Sequence, residues 1–371
     1  MQALNFTLGI EEEFQLIDRK SNELSSGFNA LIEKGNAVFG ERIKSEIVQS
    51  MLELSSEVCS DISVIRDKLY RERAILARIA HEADLALLSA GTHPFSSWRH
   101  QQLTVKSRYL AIEEELQDIV RSRVIFGLHV HVGVAQRELA LTSMNQVRTW
   151  LPHLLALSTN SPFWEGYFTG IKSYRSVVWQ AGFRNGVPDA FPSLQAFDQY
   201  INDLTIASYI ASSRDIWWDI RLHPTFSTLE FRIFDMPSTL EDTLALTALC
   251  QALVAKLAWL YSHQHTVPVL PREYIAENKW RALRYGLDAT IFDFVKGHTI
   301  SIRDSTHELF DFIDDVLDDL GCRREITYLR TLLNNPWGTG ADRQIALYQQ
   351  SGSLQQVVDF LLQRTLLGVD L

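Results

Sequence analysis

Five segments of the chain alternate apolar and polar residues with a period of two, which is typical of strands with one face in a core. They cover residues 6–17, 47–54, 124–134, 217–222 and 228–234. Helical spacing of apolar residues fills much of the chain between them. Strands interleaved with helices in this way predict an α+β fold on a mostly antiparallel sheet.

The clearest helix is predicted to begin after Asp61, a good N-cap, and its apolar positions run from Ile62 to Leu87. Further helices are predicted over 107–121, 144–157 and 240–260, and in the tail after Arg303. Residues 160–193 are rich in glycine, proline and aromatics, and a long irregular segment of this kind often lines or covers a site. No repeat or linker interrupts the chain, so we expect a single catalytic domain over residues 1–371.

Composition and missing motifs exclude several classes of function. The 45 acidic and 35 basic residues leave a net charge of −10, and such a surface repels phosphate backbones. We therefore expect no nucleic-acid partner. The sequence contains no P-loop, dinucleotide, zincin or serine-hydrolase motif.

Three features predict a cytoplasmic protein with no membrane partner. Residues 1–5 lack the basic and apolar regions of a signal peptide. The longest apolar stretch, 244–261, contains Gln251 and Lys256, which favours a buried helix over a membrane span. The three cysteines are far apart and form no CxxC pair, as is typical of a reducing compartment.

Carboxylates share the polar face of two predicted strands. Glu11 and Glu13 point the same way, while Glu12 lies among apolar residues on the other face. Glu53 stands in an apolar strand, where a buried carboxylate needs a partner. Water, a cation or an arginine could each relieve the repulsion between neighbouring carboxylates, and this local pattern leaves the choice open.

Two histidines and two arginines extend this polar set. His129 and His131 share a strand face with flanking glycines, which lack bulk and allow a close approach to the backbone. In the next two strands Asp219 and Arg221 share a face, as do Glu230 and Arg232. These two acidic and two basic residues form either an internal ion-pair ladder or a metal carboxylate beside a phosphate-binding arginine.

Together these residues predict a metal-nucleotide site on an antiparallel sheet. Hard oxygen ligands select magnesium or manganese over zinc, and magnesium usually bridges phosphates. Arginines beside it stabilise a phosphoryl group during transfer.

Nine short segments, spread over nearly the whole chain, make the sequence resemble the glutamate–cysteine ligase type 2 family, the YbdK-type carboxylate–amine ligases. Their order and spacing carry the resemblance. They are LGIEEE at 8–13, QSMLEL at 49–54, GTHPF at 91–95, GLHVHVG at 127–133, SPFW at 161–164, SYR at 173–175, WDIR at 218–221, LEFR at 229–232 and WRALRYGL at 280–287.

The resemblance implies a glutamine-synthetase-like curved antiparallel sheet with helices packed on one face. It implies an ATP-dependent, ADP-forming enzyme that joins glutamate to an amine, cysteine by default, through an acyl phosphate. ATP, glutamate and the amine are then its small-molecule partners, Mg²⁺ (or Mn²⁺) its metal, and a homodimer a possible assembly. The metal ligands implied are Glu11, Glu13, Glu53, His129 and Glu230. Arg232 and Glu53 are implied as catalytic, and the implied substrate or nucleotide contacts are His131, Arg175, Arg221 and Arg284.

Two departures from the family pattern place the acceptor amine in question. Gln49 stands where relatives often carry glutamate, and Phe168 stands where they often carry aspartate. Three alternatives therefore remain: the same chemistry with another amine, a small-molecule phosphotransferase, and a non-catalytic sensor of nucleotide or amino acid.

Overall fold

A seven-stranded antiparallel sheet organises the computed structural model, which describes residues 6–369. Its strands are β1 (Leu8–Asp18), β2 (Ile43–Ser45), β3 (Met51–Ser55), β4 (Leu85–Leu88), β5 (Gly127–Gly133), β10 (Ile220–Leu222) and β11 (Thr228–Asp235). Smaller two-stranded sheets use β6 (Phe163–Trp164), β7 (Tyr167–Phe168), β8 (Asn185–Gly186), β9 (Trp217–Trp218), β12 (Thr290–Asp293) and β13 (His298–Ser301). The main sheet has the order β10-β11-β5-β1-β3-β2, and β4 pairs with the second half of β1.

Fourteen α-helices surround this sheet in the described residues. They are α1 (Phe28–Phe39), α2 (Ile62–Glu82), α3 (Ser107–Leu116), α4 (Asp118–Arg121), α5 (Arg137–Val147), α6 (Leu151–Ser158), α7 (Tyr174–Gln180), α8 (Leu194–Ile206), α9 (Leu240–Ser262), α10 (Arg272–Tyr285), α11 (Ile302–Phe312), α12 (Arg323–Asn334), α13 (Gly340–Ser351) and α14 (Leu354–Thr365). The predicted α+β class is confirmed.

The two faces of β1 separate the core from a polar surface. Leu8, Ile10, Phe14 and Leu16 are buried in the core, where α2 and α9 pack. Glu12 points into this core as well, only 2% exposed, and its carboxylate is paired with the guanidinium of Arg73 on α2. The odd-numbered side chains of β1 face the opposite side of the sheet, as the period-two pattern predicts.

The buried Arg73–Glu12 pair supports a stability prediction. Arg73 also donates to the backbone carbonyl of Thr365, so it links α2, β1 and the end of α14. Arg73→Ala leaves the Glu12 carboxylate buried without its charged partner, and should lower the free energy of unfolding by about 3–5 kcal/mol. Urea denaturation measures the change. Lys34→Ala removes the cation of an exposed pair with Glu82 and should change little, so an equal loss in both variants would contradict this account.

Several helix and strand boundaries predicted from periodicity were wrong, each for a local reason. Residues 47–50 form a turn between β2 and β3 instead of a strand, and β2 itself was missed because three residues show no period. Leu87 lies in β4, because the helix that begins after Asp61 ends at Glu82. The helix predicted over 107–121 is broken at Gln117, whose φ is 49°. The helix predicted over 144–157 is divided by a 3₁₀ turn at Arg148–Trp150.

Helix α9 is a core helix. It is the only helix of residues 6–369 with the length and apolarity of a membrane span, and 83% of its most apolar 18-residue window is buried within the protein. The predicted absence of a signal peptide concerns residues 1–5, which lie outside the described part of the chain.

The segment 160–193 is irregular, as predicted, and carries one short helix towards the polar face of the sheet. It contains the small hairpin of β6 and β7, then α7 and β8. Asp235 at the end of β11 fastens this segment to the sheet. Its carboxylate accepts hydrogen bonds from the backbone N–H of Asn160 (2.8 Å), the Ser161 hydroxyl (2.7 Å) and the Ser173 hydroxyl (2.7 Å).

Candidate active site

Strand register brings the predicted metal ligands together. Glu11 of β1 lies opposite His129 of β5, and Glu13 lies opposite Glu53 of β3. Glu230 of β11 lies opposite His131. Directly opposed residues of antiparallel strands place their side chains on the same face, about 5 Å apart. Four neighbouring strands thus contribute to one polar patch.

Distances within the patch define two overlapping groups of possible ligand atoms. His129 Nδ1 lies 2.9 Å from Glu11 Oε2, and His131 Nε2 lies 3.7 Å from Glu11 Oε1. Ligand atoms of Glu11, Glu53 and His129 lie within 4.8 Å of one another, and so do those of Glu11, His131 and Glu230. Glu11 belongs to both groups and is therefore the central carboxylate.

The donor set fits a divalent cation. Carboxylate oxygens favour magnesium or manganese, and imidazole nitrogen extends the fit towards manganese. His131 Nε2 is buried and has no hydrogen-bond partner among the described residues, so it is free to bind a ligand. Glu13 joins neither close group, although its Oε1 lies 3.8 Å from His129 Nε2.

Burial, together with neighbouring carboxylates, raises the pKa of three glutamates of the cavity. Burial raises the pKa of Glu13 to about 7, because the nearby Arg175 charge offsets burial only in part. The pKa of Glu53 is raised by burial and by the charge of Glu11. Burial and the charge of Glu53 likewise raise the pKa of Glu46 well above its usual range. A bound cation would reverse these shifts, since it favours the ionised carboxylates.

Glu230 is ionised and held by two arginines. Burial opposes ionisation, but the charges of Arg232 and Arg221 lower the pKa of Glu230 far below its usual range. Arg221 Nε donates to Glu230 Oε2 at 2.6 Å, and Arg232 Nη1 donates to Glu230 Oε1. Glu230 and the two arginines therefore form an internal ion-pair cluster, and Glu230 also belongs to one of the two groups of candidate ligand atoms.

Asp219 does not join this patch. Its carboxylate is buried against Lys279 of α10, with Nζ 2.6 Å from Oδ2. The prediction of two acidic and two basic groups on one patch is correct for Arg221, Glu230 and Arg232 and wrong for Asp219.

Arg175 reaches the patch from α7 across the backbone of β5 and β11. Its guanidinium donates to the carbonyl oxygens of Arg232 (3.2 Å) and Ile233 (3.4 Å). A Cβ atom on Gly127 would clash with this guanidinium. The predicted role of the flanking glycines, a close approach to the backbone, is confirmed at this position.

Gly127→Ala should therefore displace Arg175 while leaving the strand intact. We expect about a 10- to 100-fold loss of turnover, because small displacements of a positioned group are costly in an active site. Steady-state kinetics measures the loss, and Arg175→Ala provides the comparison. If Gly127→Ala is fully active, the Arg175 position has no catalytic importance.

The patch forms one wall of a cavity of about 490 Å³. Eight of the predicted site residues line it, namely Glu11, Glu13, Glu53, His129, Arg175, Arg221, Glu230 and Arg232. His131 is not among the lining residues, and its Nδ1 is 3.1 Å from the hydroxyl of Thr228. Arg284 is not brought to the cavity, because it lies beside Gly170 with its guanidinium over the Tyr285 ring.

Neither of the two residues that depart from the family pattern reaches the cavity wall. The Gln49 side chain donates to the carbonyl of Leu103 at 3.1 Å. Phe168 is 47% exposed and packs against Phe163 in the β6–β7 hairpin. Their substitution therefore does not remove a group from the described cavity.

Several lining residues escaped the sequence analysis. Lys44 of β2 contacts Glu53 at 2.8 Å, and Glu46 lies beside Tyr109 of α3. Arg123 and Trp179 also line the cavity. Arg123 was not detectable by strand parity, because it precedes both the predicted segment 124–134 and β5. Glu46 was not detectable either, because it follows a strand too short to show a period.

Comparisons with known proteins agree with the resemblance. The family model "Glutamate-cysteine ligase family 2(GCS2)" matches residues 7–359. A protein of Solibacter usitatus, provisionally named glutamate–cysteine ligase 2, is 43% identical over 366 residues, covering 98% of this chain and 94% of that protein. A protein of the same provisional name from Roseiflexus sp. strain RS-1 is 44% identical over 364 residues, covering 98% and 96%.

Solved structures confirm the predicted glutamine-synthetase-like fold. The glutamate–cysteine ligase of Francisella tularensis, solved in complex with AMP, has a TM-score of 0.75 at 13% identity and covers 99% of this chain and 90% of its own. A bifunctional glutathione synthetase from Pasteurella multocida has a TM-score of 0.70 at 16% identity, covering 99% and 52%. The family match over residues 7–359 and the relatives above 40% identity show that this chain belongs to glutamate–cysteine ligase family 2, a family of ligase enzymes.

Proposed function

We propose that the protein is an ATP-dependent carboxylate–amine ligase that forms a γ-glutamyl amide through an acyl phosphate, with glutamate and cysteine as the default substrates. The observation that carries this proposal is the convergence of Glu11, Glu53 and His129 in one cavity with Arg232, an arrangement suited to a metal-bound triphosphate. Family membership supports the ligase class.

Glu11, Glu53, His129, Glu230 and, at a greater distance, Glu13 are the residues that would hold the metal. Their arrangement also offers His131 as a ligand in addition to its predicted substrate contact. When bound, magnesium or manganese neutralises phosphate charge and orients the terminal phosphate.

The chain's own residues account for the other requirements of phosphoryl transfer. Arg232 presents its guanidinium to the cavity beside the carboxylates and offsets the charge that develops on the phosphoryl group. Arg221 orients Glu230 through two hydrogen bonds of 2.6 and 3.2 Å. The rigid sheet keeps these groups in register, which reduces the entropic cost of bringing the two substrates together.

Water must be excluded once the acyl phosphate has formed, since hydrolysis would waste it. The segment 160–193 supplies Arg175 and Trp179 to the cavity wall and is the element best placed to close over it. Catalysis by a single domain in the cytoplasm, and assembly as a homodimer, remain part of the proposal.

Trapping with hydroxylamine tests the proposal. Hydroxylamine is a small, strong nucleophile and should intercept the acyl phosphate even if the natural amine is unknown. We expect slow ADP formation with ATP and glutamate alone, and faster ADP formation with hydroxylamine. γ-Glutamyl hydroxamate should appear in step with ADP and is identified by mass spectrometry.

The alternatives give different results in the same assay. A phosphotransferase forms ADP and a stable phosphorylated product without hydroxamate, and a sensor forms no steady ADP. A ligase with another acceptor forms the hydroxamate but is accelerated by a different member of an amine panel. Absence of hydroxamate with every amino-acid donor, in protein that binds Mg²⁺ and ATP, would contradict the ligase proposal.

A further inference from the structure

Arg123 is a buried cation without a charged partner in the wall of the cavity. It is 6% exposed and lines the same cavity as Glu11 and Arg232. Its Nε and Nη2 atoms are buried and have no hydrogen-bond partner among residues 6–369, and the only charge that acts on its pKa is that of another arginine, Arg184. Three other arginines that line the cavity differ from it. Arg175 of α7 and Arg221 and Arg232 of the sheet each donate a hydrogen bond to an acceptor.

Aromatic rings hold the Arg123 guanidinium in place. Its central carbon lies 5.3 Å from the centre of the Trp179 ring and 5.2 Å from that of Trp217. A Cβ atom on Gly182 would come within 2.5 Å of Nη2, so the tip fits against the backbone there. Cation–π contacts compensate part of the lost hydration but leave the donors of the guanidinium unused.

An unpaired buried charge normally destabilises a protein, so its presence in a substrate cavity calls for an anionic ligand. Burial and the charge of Arg184 lower the pKa of Arg123 to about 10, yet it stays protonated at neutral pH. The Arg123 guanidinium lines the cavity, and a protonated guanidinium without an ion-pair partner is suited to a charge-assisted hydrogen bond with a carboxylate.

We propose that Arg123 binds the α-carboxylate of the amino-acid donor and thereby makes the enzyme select α-amino dicarboxylic acids over simple carboxylic acids. This inference rests on the proposed function, because it assigns one end of the donor substrate in the same site.

The position of Trp179 favours the donor as the source of the carboxylate. Arg123, Arg175 and Arg232 all lie within 6 Å of the centre of this one ring. If Arg232 faces the phosphoryl group, the donor's reacting carboxylate lies on its side of Trp179. Arg123 is a second cavity-lining cation beside the same ring, and glutamate carries a second carboxylate, the α-carboxylate, that can bind it.

Two substitutions separate charge from shape. Arg123→Met keeps a long apolar side chain between the two tryptophans and removes the charge, whereas Arg123→Lys keeps a charge and loses the planar guanidinium. Arg184→Met is the matched control, since Arg184 also lies over Trp217, at 5.9 Å, but donates to the carbonyl of Tyr209 and does not line the cavity.

The experiment compares glutamate with 4-aminobutyrate, which lacks the α-carboxylate, using hydroxylamine as acceptor so that no acceptor carboxylate is present. Wild type should prefer glutamate in kcat/KM by about 100-fold, the effect of one buried charged hydrogen-bonding pair. Arg123→Met should lose about this factor with glutamate and little with 4-aminobutyrate. Arg123→Lys should retain part of the preference, and Arg184→Met all of it.

Thermal unfolding gives a signature that a structural arginine would not show. Arg123→Met should be at least as stable as wild type, because it removes an uncompensated buried charge. A clear fall in the Tm of Arg123→Met, together with equal losses for both donors, would overturn the inference in favour of a structural role. An unchanged glutamate preference would overturn it as well.

A second comparison distinguishes binding of the acceptor's carboxylate from binding of the donor's. If Arg123→Met leaves the hydroxylamine reaction with glutamate intact but raises KM for cysteine and not for cysteamine, the carboxylate belongs to the acceptor and the donor assignment is wrong.

Calorimetry separates failure of this inference from failure of the proposed function. If wild type forms no hydroxamate with any donor, the proposed reaction is wrong. The binding affinities for glutamate and 4-aminobutyrate then still test the role of Arg123. Tighter binding of glutamate than of 4-aminobutyrate by wild type, with no such difference in Arg123→Met, supports the inference. Equal affinities in both proteins overturn it.

Discussion

Replacement of Arg232 by alanine should reduce turnover by about two to four orders of magnitude while changing the KM for glutamate much less. The guanidinium is buried at the cavity wall beside Glu230. In the proposed mechanism its partner is the charge on the transferring phosphoryl group, which is largest in the transition state. An interaction made mainly in the transition state contributes to kcat and little to ground-state binding. Steady-state kinetics of ADP formation with hydroxylamine as acceptor measures both parameters.

Arg232→Lys is the matched variant, since it keeps the charge and loses the planar fork, so its turnover should lie between those of alanine and wild type. Glu230 keeps its hydrogen bonds to Arg221 in both variants, which limits the structural damage. Thermal unfolding checks that each variant is folded. If a folded Arg232→Ala protein turns over normally, Arg232 belongs to a structural ion pair and the proposed phosphoryl contact is wrong.

Replacement of Glu11 by glutamine should nearly abolish both metal binding and ATP consumption. Glu11 belongs to both groups of possible ligand atoms, so the substitution removes one carboxylate from each without changing side-chain size. We expect the affinity for Mn²⁺ to fall at least about 100-fold, because even residues behind the ligands often contribute 10- to 100-fold. Titration with Mn²⁺, followed by electron paramagnetic resonance, measures binding independently of activity.

Two controls accompany the Glu11→Gln measurement. Glu23→Gln changes an exposed carboxylate and should bind Mn²⁺ like wild type. In wild type, EDTA should stop ATP consumption, and Mg²⁺ or Mn²⁺ should restore it. Wild-type Mn²⁺ affinity in Glu11→Gln would show that the carboxylate–histidine cluster is not the metal site.

The candidate site was largely predictable from the sequence because its key residues follow strand parity. The alternation along 6–17 separates Glu11 and Glu13 from Glu12, and the structure shows Glu12 in the core with Arg73. The same rule places His129 on one face with Gly127. Side chains two residues apart in a strand share a face whatever the rest of the fold, so this information is local.

Strand neighbours and side-chain partners were decided only by the tertiary structure. The sequence does not state that β1 lies between β5 and β3, and it is this order that makes Glu11 central. The strand pattern predicted that Asp219 belongs to the patch, whereas packing of α10 buries its carboxylate against Lys279.

The remaining differences concern residues whose roles depend on distant parts of the chain. Arg123 lies between the rings of Trp179 and Trp217, which come from distant segments. Arg284 lies on α10 beside Gly170, outside the cavity lining. Local periodicity, set by backbone geometry, determined which face each strand residue occupies. The packing of helices and loops around the sheet, set by burial of the whole apolar surface, decided which of those residues meet and which charge is left for a substrate.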